Sequence, residues 1–479
     1  MTLALGNNSH AEGACNLAYG EGCHVEGKYN QTFKDFAHAE GTNTKALGWA
    51  SHTEGYGAVA NDSMSHAEGT YTQANGYVSH AEGISTVANG DSSHAEGYMT
   101  LALGNNSHAE GGSSDRSERT YVIGSATYTI TDTTAQGDCS HAEGDHTFAF
   151  GEASHAEGYI TAATDYYSHA EGFGSEANYT AAHAEGYMTK ANGYASHAEG
   201  TTTTANGDSS HTEGQFTVAN GTCSHAGGRY TIANGNQYAI GHYNNATTSS
   251  ATSSNTLSAG VTSGAAQLSP AFIIGNGTSD TSRANAFRVD YNGKAFAKTT
   301  FGSSGADYAE YFEWDDGNPF NEDRRGYFVT LDGDKIRIAN KNDEYLLGII
   351  SGMPAVIGNN DEEWMGRYIL DDFGAIILEE YEYTDRETNA EGELIAVTKT
   401  GIKFKENPDY DPNKEYIPRE YRPEWSAVGM MGVLSVRDDG TCQVNGYCKP
   451  NADGIATVAE SGYRVIKRIN DHIIKVIFR

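Results

Sequence analysis

The first half of this sequence lacks prolines, and the whole chain is poor in basic residues and long apolar runs. None of the eight prolines precedes residue 270; because proline cannot donate to a strand ladder, this permits continuous central pairing. Lys and Arg number 31 against 63 acidic residues, which gives a net charge of −32 and argues against nucleic acid or an anionic membrane as a partner. No stretch reaches the length of a membrane-spanning helix and no signal peptide is visible, so we predict no membrane insertion.

Bulky apolar residues and paired cysteines are also scarce. Hydrophobic residues make up 38% of the sequence, whereas 57 residues are glycine. This balance favours a thin, repetitive β-structure. The length of 479 residues predicts two or three domains. The six cysteines show no metal-ligand CxxC spacing. Cys442 and Cys448 flank the turn dipeptide Asn445-Gly446, and a two-residue hairpin there would point the two sulfurs to opposite faces. We therefore predict free, non-catalytic thiols throughout.

Histidines recur every 14 residues along the first half of the chain. They occupy fifteen positions in register, interrupted once by 19 extra residues between His108 and His141. A glycine follows each of them by three residues, and a glutamate follows fourteen of them by two, with Gly227 as the exception. A fixed period of this kind indicates a repeat architecture, in which the motif SHAEG builds a surface or a scaffold.

Each 14-residue period predicts two short strands and two turns. A second segment of the period, such as TVANG at 86–90, places an alanine eight residues after the histidine. Small residues alternate with variable ones, which is strand periodicity, and glycines suit corners that need a positive φ. Stacked about 4.8 Å apart, such turns form a parallel β-roll whose interior has room only for methyl and hydroxyl groups. The fold class is therefore predicted as mainly β.

The repeat resembles the head repeats of trimeric autotransporter adhesins, which use a similar 14-residue unit with SVAIG at this place. Residues 238–241 read YAIG, in line with that pattern. The resemblance covers about residues 1–245 and implies a left-handed parallel β-roll in a trimer, where the Val and Ile positions pack against neighbouring chains. Those positions are His and Glu in SHAEG, which departs from the family.

A strand places His80 and Glu82 on one face, and stacking puts glutamate above glutamate, which is destabilising. Lys and Arg number seven against 27 acids in residues 1–246, so the histidine column is the expected partner. A metal column is the alternative, since imidazole and carboxylate bind zinc or nickel, but a long repeat rarely supplies closed metal geometry and we predict no metal. We interpret the face as an inter-chain network at a trimer interface, formed by a ladder that includes His66, Glu68, His80, Glu82, His94, Glu96, His197 and Glu199.

Two segments interrupt or end the roll. The insertion at 112–138 contains a hairpin signal around Gly124-Ser125; a receptor-contacting arm and a tolerated insertion both explain it. Residues 246–270 are rich in Ser, Thr and Ala and predict a linker or stalk. Residues 271–303 predict a β connector, with a hairpin turn at Asn292-Gly293.

The remaining part, 304–479, contains the run GADYAEYFEW at 305–314, followed by GYFVTLDGDKIRIA and YLLGIISGMPAVIG. These stretches resemble the C-terminal intramolecular-chaperone domain of phage appendage and tail-spike proteins, a self-cleaving peptidase family; the resemblance covers about residues 271–479. It implies a β-rich domain that trimerises, helps an elongated β-structure to fold, and then cuts itself free just before the acidic motif with carboxylates in the catalytic role.

The residues themselves allow that chemistry. The small-residue segment Gly302, Ser303, Ser304, Gly305 and Ala306 can present a distorted peptide bond, and a hydroxyl of either serine can attack the preceding carbonyl. Asp307 and Glu310 are the candidate acid and base, since neighbouring carboxylates in an apolar setting separate their pKa values. Spacing alone favours an ordinary Gly/Ser turn before an amphipathic strand with solvated acids, whereas the resemblance favours cleavage.

The two resemblances predict a structural homotrimeric phage tail fibre or receptor-binding protein whose C-terminal domain assists folding and trimerisation and then self-cleaves. It would act once, in cis, without a cofactor. Expected partners are a protein or glycan receptor on the host cell and other virion tail proteins, with no nucleic acid. The expected location is the phage tail, after synthesis in the host cytoplasm. A bacterial surface adhesin with a trimeric β-roll head is the alternative.

Overall fold

The computed structural model describes residues 1–112, 118–123, 126–246, 270–291, 293–360, 366–388, 394–411, 413 and 415–479. The chain divides into two units, Met1–Thr299 and Thr300–Arg479. The regular secondary structure of both is almost wholly β-strand; the described residues contain one short 3-10 helix, Arg419–Tyr421. Within the described ranges no helix has the length and hydropathy needed to cross a membrane.

The first unit is a roll with two parallel sheets, so the predicted fold class is confirmed. Each 14-residue repeat contributes one strand to each sheet. The strands of the first sheet are Leu3–Ala4, Leu17–Ala18, Gln31–Thr32, Lys45–Ala46, Val59–Ala60, Gln73–Ala74, Val87–Ala88, Leu101–Ala102, Thr134–Ala135, Phe148–Ala149, Ala162–Ala163, Glu176–Ala177, Lys190–Ala191, Thr204–Ala205, Val218–Ala219 and Ile232–Ala233.

The second sheet carries the histidines and glutamates. Its parallel strands are His10–Ala11, His24–Val25, His38–Ala39, His52–Tyr56, His66–Thr70, His80–Ile84, His94–Tyr98, His108–Gly111, His141–Asp145, His155–Tyr159, His169–Phe173, His183–Tyr187, His197–Thr201, His211–Thr212, His225–Ala226 and Tyr238–His242. Pro270–Asn276 pairs with the last of these in parallel, and Asn285–Asp290 and Ala295–Ala297 extend the sheet as antiparallel strands. The connector therefore continues the sheet of the roll.

The interior of the roll is as thin as the repeat predicts. Columns of alanine with no solvent exposure form its core, one from each sheet, as Ala81 and Ala88 illustrate. Buried serine hydroxyls satisfy turn carbonyls; Ser79 Oγ donates to the Gly76 carbonyl at 2.7 Å. These serine hydroxyls are thus paired within their own turn, which helps so narrow a core to form.

One glycine per repeat is required by close backbone approach. Gly83 has φ +103°, and a side chain there would lie 2.2 Å from the carbonyl oxygen of Gly97 in the next turn. The other corners differ from the expectation that glycine would close them, because non-glycine residues such as Val78 and Ser85 adopt φ near +58° and +56°. Hydrogen bonds to the preceding turn hold this left-handed conformation: the Val78 amide donates to the Ser63 carbonyl at 3.1 Å.

The insertion leaves the roll without breaking it. His108 pairs directly with His141, and the strands Arg119–Ile123 and Ala126–Ile130 form the predicted antiparallel hairpin; its turn residues, 124–125, lie outside the described part. Thr133 and Thr134 are buried in the roll, so the extra 19 residues correspond to 113–131.

Deleting residues 113–131, which joins Gly112 to Asp132 in the 14-residue register, should leave the roll folded. Each turn contacts only its neighbours, so removing the hairpin changes no interior column. We expect the thermal midpoint to stay within about 3 °C of the wild-type value, measured by circular dichroism. A deletion that removes 112–138 is the matched control: it also removes the buried threonines and should lower the midpoint clearly. Equal destabilisation by both deletions would contradict this boundary.

The second unit has a large mixed sheet and a separate long hairpin. Along the main path, the sheet order is Lys335–Ile338, Phe328–Asp332, Gly348–Ile350, Trp425–Arg437, Ile473–Phe478, Tyr463–Asn470, Tyr447–Pro450 and Ala456–Ala459. Asp307–Glu313 pairs with Trp425–Arg437 antiparallel and with Val356–Gly358 in parallel. Leu378–Thr388 and Leu394–Phe404 form the hairpin.

The predicted hairpin at Asn445-Gly446 is wrong. Cys442 and Cys448 do not face opposite sides; both are fully buried in one core with Phe328 and Val465. The strand Tyr447–Pro450 pairs instead with Ala456–Ala459 and Tyr463–Asn470, because burial of the two thiols outweighs the local turn preference. Both cysteines are free, as predicted.

Candidate cleavage site and histidine–glutamate face

The predicted cleavage segment is exposed to solvent and leads into a strand whose first residue, Asp307, is buried. Gly302, Ser303 and Ser304 are exposed, and the Gly305 amide donates to Ser303 Oγ at 3.1 Å. Gly305 touches the neighbouring loop, where a side chain would come within 2.4 Å of the Ala355 amide nitrogen. Glycine is therefore needed at 305, and the three residues before it remain accessible to water.

The next two residues are fixed by hydrogen bonds on both sides. The Val433 amide donates to the Ala306 carbonyl at 3.1 Å, and the Ala355 amide donates to the Asp307 carbonyl at 2.7 Å. Gly432, with φ +125°, faces this point; a side chain there would approach the Ala306 carbonyl oxygen to 2.3 Å. A rigid backbone thus stands directly beside an accessible segment, which is the arrangement that oriented attack on one peptide bond requires.

Asp307 is a buried carboxylic acid, with 6% of its surface exposed. Its Oδ2 packs against Gly429, where a side chain would lie only 2.7 Å away, and has no hydrogen-bond partner among the described residues. Burial raises the pKa of Asp307 above its usual range, and a hydrogen bond from the Ser351 side chain offsets part of that rise. A buried carboxyl with a raised pKa beside an accessible segment is a candidate proton-transfer group.

Glu310 lies on the opposite face of the same strand. Burial alternates along Asp307–Glu313, with Asp307 and Ala309 inward and Tyr308 outward, and Tyr308 donates its hydroxyl hydrogen to Glu310. The structure therefore brings Asp307 and the cleavage segment together within one chain and leaves Glu310 apart from them.

An open cleft joins the candidate residues. Ser304, Gly305, Ala306 and Asp307 line it; Ser303 lies just outside the lining. The opposite wall carries residues that sequence reasoning missed: Asp323, Arg325, Ser351, Arg437 and Lys475. They come from strands and loops distant in sequence, and no local spacing marks them.

The histidines of the roll form a stacked column. From His38 to His211 neighbouring rings are nearly parallel, and the centroids of His66 and His80 are 4.7 Å apart with an angle of 2°. His66 Nε2 lies 3.7 Å from Glu68 Oε2, and His94 Nε2 lies 3.7 Å from Glu82 Oε1. About a third of each of these side chains is exposed. All eight predicted ladder residues therefore share one face.

The charge state of this face differs from the expected pairing of cationic histidine with glutamate. Burial, together with repulsion from His52 and His80, lowers the pKa of His66 to about 4. The glutamates share protons instead: hydrogen bonding to Glu185 and burial raise the pKa of Glu171 to about 7. Rings stacked at 4.7 Å repel one another when protonated, so an imidazole whose pKa is lowered in this way, such as that of His66, is neutral at pH 7.

Acid should destabilise the roll. Between pH 6.5 and about 4 the unfolded chain binds protons at ladder histidines that the folded chain leaves neutral, so stability falls as the pH falls through this window. Glu171 acts in the opposite sense between about pH 4.5 and 7, but histidines with lowered pKa values outnumber glutamates with raised ones. These histidines are His38, His66, His80, His108, His155, His183 and His225.

We expect a lower thermal midpoint at pH 4.5 than at pH 7, measured by circular dichroism. Replacing His66 and His80, whose pKa values are both lowered, with glutamine should flatten this dependence, whereas His472→Gln, at an exposed position outside the roll, should leave it unchanged. A midpoint that stays constant or rises on acidification would contradict the assigned charge states.

Comparison with known proteins matches both parts of the chain. Residues 245–473 match the family described as Peptidase_G2, IMC autoproteolytic cleavage domain. Residues 81–107, 95–114 and 198–223 match the YadA head domain repeat. The preneck appendage protein of Bacillus phage PZA is 38% identical over 181 residues, which cover 36% of this chain and 18% of that protein. Over about a third of its length this chain is similar to phage appendage proteins. The predicted resemblances and the virion location are thereby confirmed.

Two further relatives match a similar share of this chain. The pre-neck appendage protein of Bacillus phage phi29 is 39% identical over 172 residues, covering 35% of this chain and 18% of that protein. The putative phage-related protein YobO of Bacillus subtilis (strain 168) is 41% identical over 169 residues, covering 34% and 19%. This chain thus spans less than a fifth of the length of these relatives.

Two solved structures are similar to this chain, one over about a third of its length and one over nearly all of it. The C-terminal fragment of bacteriophage phi29 gene product 12 is 30% identical, with a TM-score of 0.28, and the match covers 36% of this chain and all of that fragment. Pre-mature phi29 gene product 12 is 15% identical, with a TM-score of 0.38, covering 97% of this chain and 55% of that one.

Proposed function

We propose that this chain is a homotrimeric phage appendage protein in which the β-roll is the shaft and the C-terminal unit assists folding and trimerisation. That unit then cuts the chain once, in cis, within Gly302–Ala306. The observation that carries the proposal is the buried Asp307 carboxyl, which directly follows an accessible small-residue segment inside a domain of the autoproteolytic family.

The proposed cut is an acyl shift followed by hydrolysis. Ser304 Oγ attacks the carbonyl carbon of Ser303, an ester bond forms, and the peptide C–N bond between these residues breaks. Asp307 is proposed to accept the proton that leaves Ser304 Oγ and to pass a proton to the Ser304 nitrogen, which becomes a free amine. Water then opens the ester and regenerates the hydroxyl. Ser304 is favoured because it lines the same cleft as Asp307; Ser303, acting on the preceding bond, is the alternative nucleophile.

Trimerisation is proposed to occur through the histidine–glutamate face. Neutral stacked rings and proton-sharing carboxyls can be covered by another chain without burying a row of net charges. The matched head repeats support this face, since it holds the positions that the sequence resemblance places between chains. Direct inter-chain hydrogen bonds, without metal or cofactor, are proposed to hold the trimer.

The outer partners are proposed to be a host-cell receptor, protein or glycan, and other tail proteins of the virion. The hairpin Arg119–Ile123 and Ala126–Ile130 is the candidate receptor contact, because it projects from a regular scaffold. The 113–131 deletion tests this with labelled protein and host cells: lost binding would identify the arm, and unchanged binding would show that contact lies elsewhere.

Denaturing electrophoresis of freshly made protein beside native mass spectrometry tests the proposed function. We expect two bands under denaturing conditions and a native mass that corresponds to three shafts. One uncut band, or a native monomer, would contradict the cleavage or the trimer part of the proposal respectively.

A further inference from the structure

We propose that Lys475 is a further catalytic residue of the self-cleavage, and that its ammonium group stabilises the negative charge that develops on the carbonyl oxygen of the bond being cut. This inference rests on the proposed cleavage, in which Ser304 supplies the nucleophile and Asp307 the proton transfer. No local motif marks Lys475, which lies in the strand Ile473–Phe478 and reaches the site only through the fold.

Lys475 and the cleavage segment line the same cleft, with one strand, Trp425–Arg437, between them. On one side of this strand Ser435 pairs with Lys475. On the other side the Val433 amide donates to the Ala306 carbonyl at 3.1 Å. Two strand spacings of about 4.8 Å each therefore separate the backbone of Lys475 from that of the segment. The flexible four-carbon side chain of lysine can cover most of that span above the small side chain of Ser435.

The charge around Lys475 is unbalanced, although the whole chain has a net charge of −32. Lys475 pairs directly with Lys467 of the strand Tyr463–Asn470, and like charges that face each other across strands are destabilising. Lys475 is half-buried, whereas Lys467 is exposed. Neither side chain takes part in an ion pair within the described ranges. Two adjacent cations without an acidic partner indicate a place for an anion, and the half-buried one faces the cut.

The other cations of the cleft are already engaged. Arg325 donates to the two carboxylate oxygens of Asp323 at 2.8 and 2.9 Å. Arg437 donates to the main-chain carbonyls of Arg325 and Asp323, both at 2.8 Å. Among the described residues that line the cleft, Lys475 is therefore the cation that can take up a new negative charge without giving up an existing contact.

The acyl shift creates such a charge on a single atom. When Ser304 Oγ attacks the carbonyl carbon of Ser303, one electron pair of the C=O bond moves to the oxygen, which the Lys475 ammonium contacts. The pair returns as the C–N bond breaks, so Lys475 keeps its proton throughout. Opening of the ester by water places a negative charge on the same oxygen again. A cation already in place favours these states over the uncut peptide, and this difference accelerates the reaction.

The test uses the full chain, synthesised in vitro, held in urea and diluted into buffer, with cleavage followed by denaturing electrophoresis. Lys475→Met keeps the length of the side chain without its charge and should slow cleavage about 10²-fold. Lys475→Arg keeps the charge and should recover most of the rate. Lys467→Met is the matched control, because it removes the neighbouring charge outside the cleft lining, and it should cut at nearly the wild-type rate.

Thermal stability separates a chemical role from a structural one. Each Met variant relieves the repulsion between Lys467 and Lys475, so its thermal midpoint should stay equal or rise, measured by circular dichroism in the Asp307→Asn background. Slower cutting by Lys475→Met with an undiminished midpoint supports the role. Equal slowing by the two Met variants, or a lower midpoint for Lys475→Met with no recovery of rate in Lys475→Arg, would overturn it.

The outcomes also separate this inference from the proposed function. Failure of wild type to cut would remove the proposed cleavage. Cutting by wild type, loss of cutting in Asp307→Asn and a wild-type rate for Lys475→Met would overturn the role of Lys475 alone. If Lys475→Met does not reach the native oligomer, Lys475→Gln decides: a slower cut supports the role, and a wild-type rate overturns it.

Discussion

Asp307→Asn is expected to give a single 51.2 kDa chain where wild type gives two fragments. The amide keeps the shape of the buried carboxyl but cannot exchange the proton that the acyl shift requires. General acid–base groups contribute about 10²–10⁴-fold to rate, so cleavage in the variant should be slower than in wild type by about that factor. Time-resolved denaturing electrophoresis measures this.

Glu310→Gln is the matched control, since it makes the same chemical change three residues further along the same strand. Its side chain bonds to Tyr308 on the other face, so we expect a much smaller effect than at Asp307. Cleavage in cis also predicts a rate independent of protein concentration. Full cutting by Asp307→Asn, or a rate that falls on dilution, would contradict the assignment.

Replacing four ladder residues, His80, Glu82, His94 and Glu96, with alanine should weaken the trimer. These side chains form two consecutive layers of the face, and in a trimer the change removes twelve side chains from the proposed interface. We expect partial dissociation at micromolar concentration and a thermal midpoint lower by about 5 °C or more. Analytical ultracentrifugation and circular dichroism measure the two effects.

The other sheet of the same roll supplies the control. Alanine at Val59, Gln73, Val87 and Leu101 alters four consecutive layers of the first sheet and should leave the trimer intact. If this control dissociates while the ladder variant stays a stable trimer, the interface lies on the first sheet, and the proposed histidine–glutamate interface is wrong. Loss of stability on adding a chelator to wild type would instead favour a metal in the ladder.

The roll could be predicted because its information is local and repeated. A glycine three residues after each ladder histidine marks the point where the next turn approaches to 2.2 Å, as at Gly83, and alanine at 81 and 88 marks the core. The sequence did not show how corners such as Val78 keep a positive φ. Contacts with the preceding turn, which no single repeat contains, hold that conformation.

The charges of the ladder could be predicted only in part. The strand register alone places each glutamate beside the glutamate of the next turn, so the repulsion between their charges has to be relieved. The sequence suggested histidine cations, whereas proton sharing between Glu171 and Glu185 supplies the relief. The difference arises because histidines stacked in their own column repel each other's protons, an effect that depends on the 4.7 Å ring distance.

For the candidate cleavage site, the sequence indicates only residues that are neighbours along the chain. Asp307 and the small-residue segment adjoin in sequence, and strand alternation separates Glu310 from Asp307. Ser351 and Gly429 reach the carboxyl through a mixed sheet whose strands are far apart in the chain. The wrong hairpin prediction at Asn445-Gly446 has the same origin, since Cys442 and Cys448 are buried in a core formed by residues distant in the chain.

Intact-mass spectrometry of the fragments from freshly made wild-type protein tests the central claim most directly. The account predicts two masses that sum to the full chain plus one water, with the cut inside Gly302–Ala306 and a new amino terminus at Ser304 or Ser303. Fragments that end outside 302–306, or an intact chain in a natively folded trimer, would contradict it.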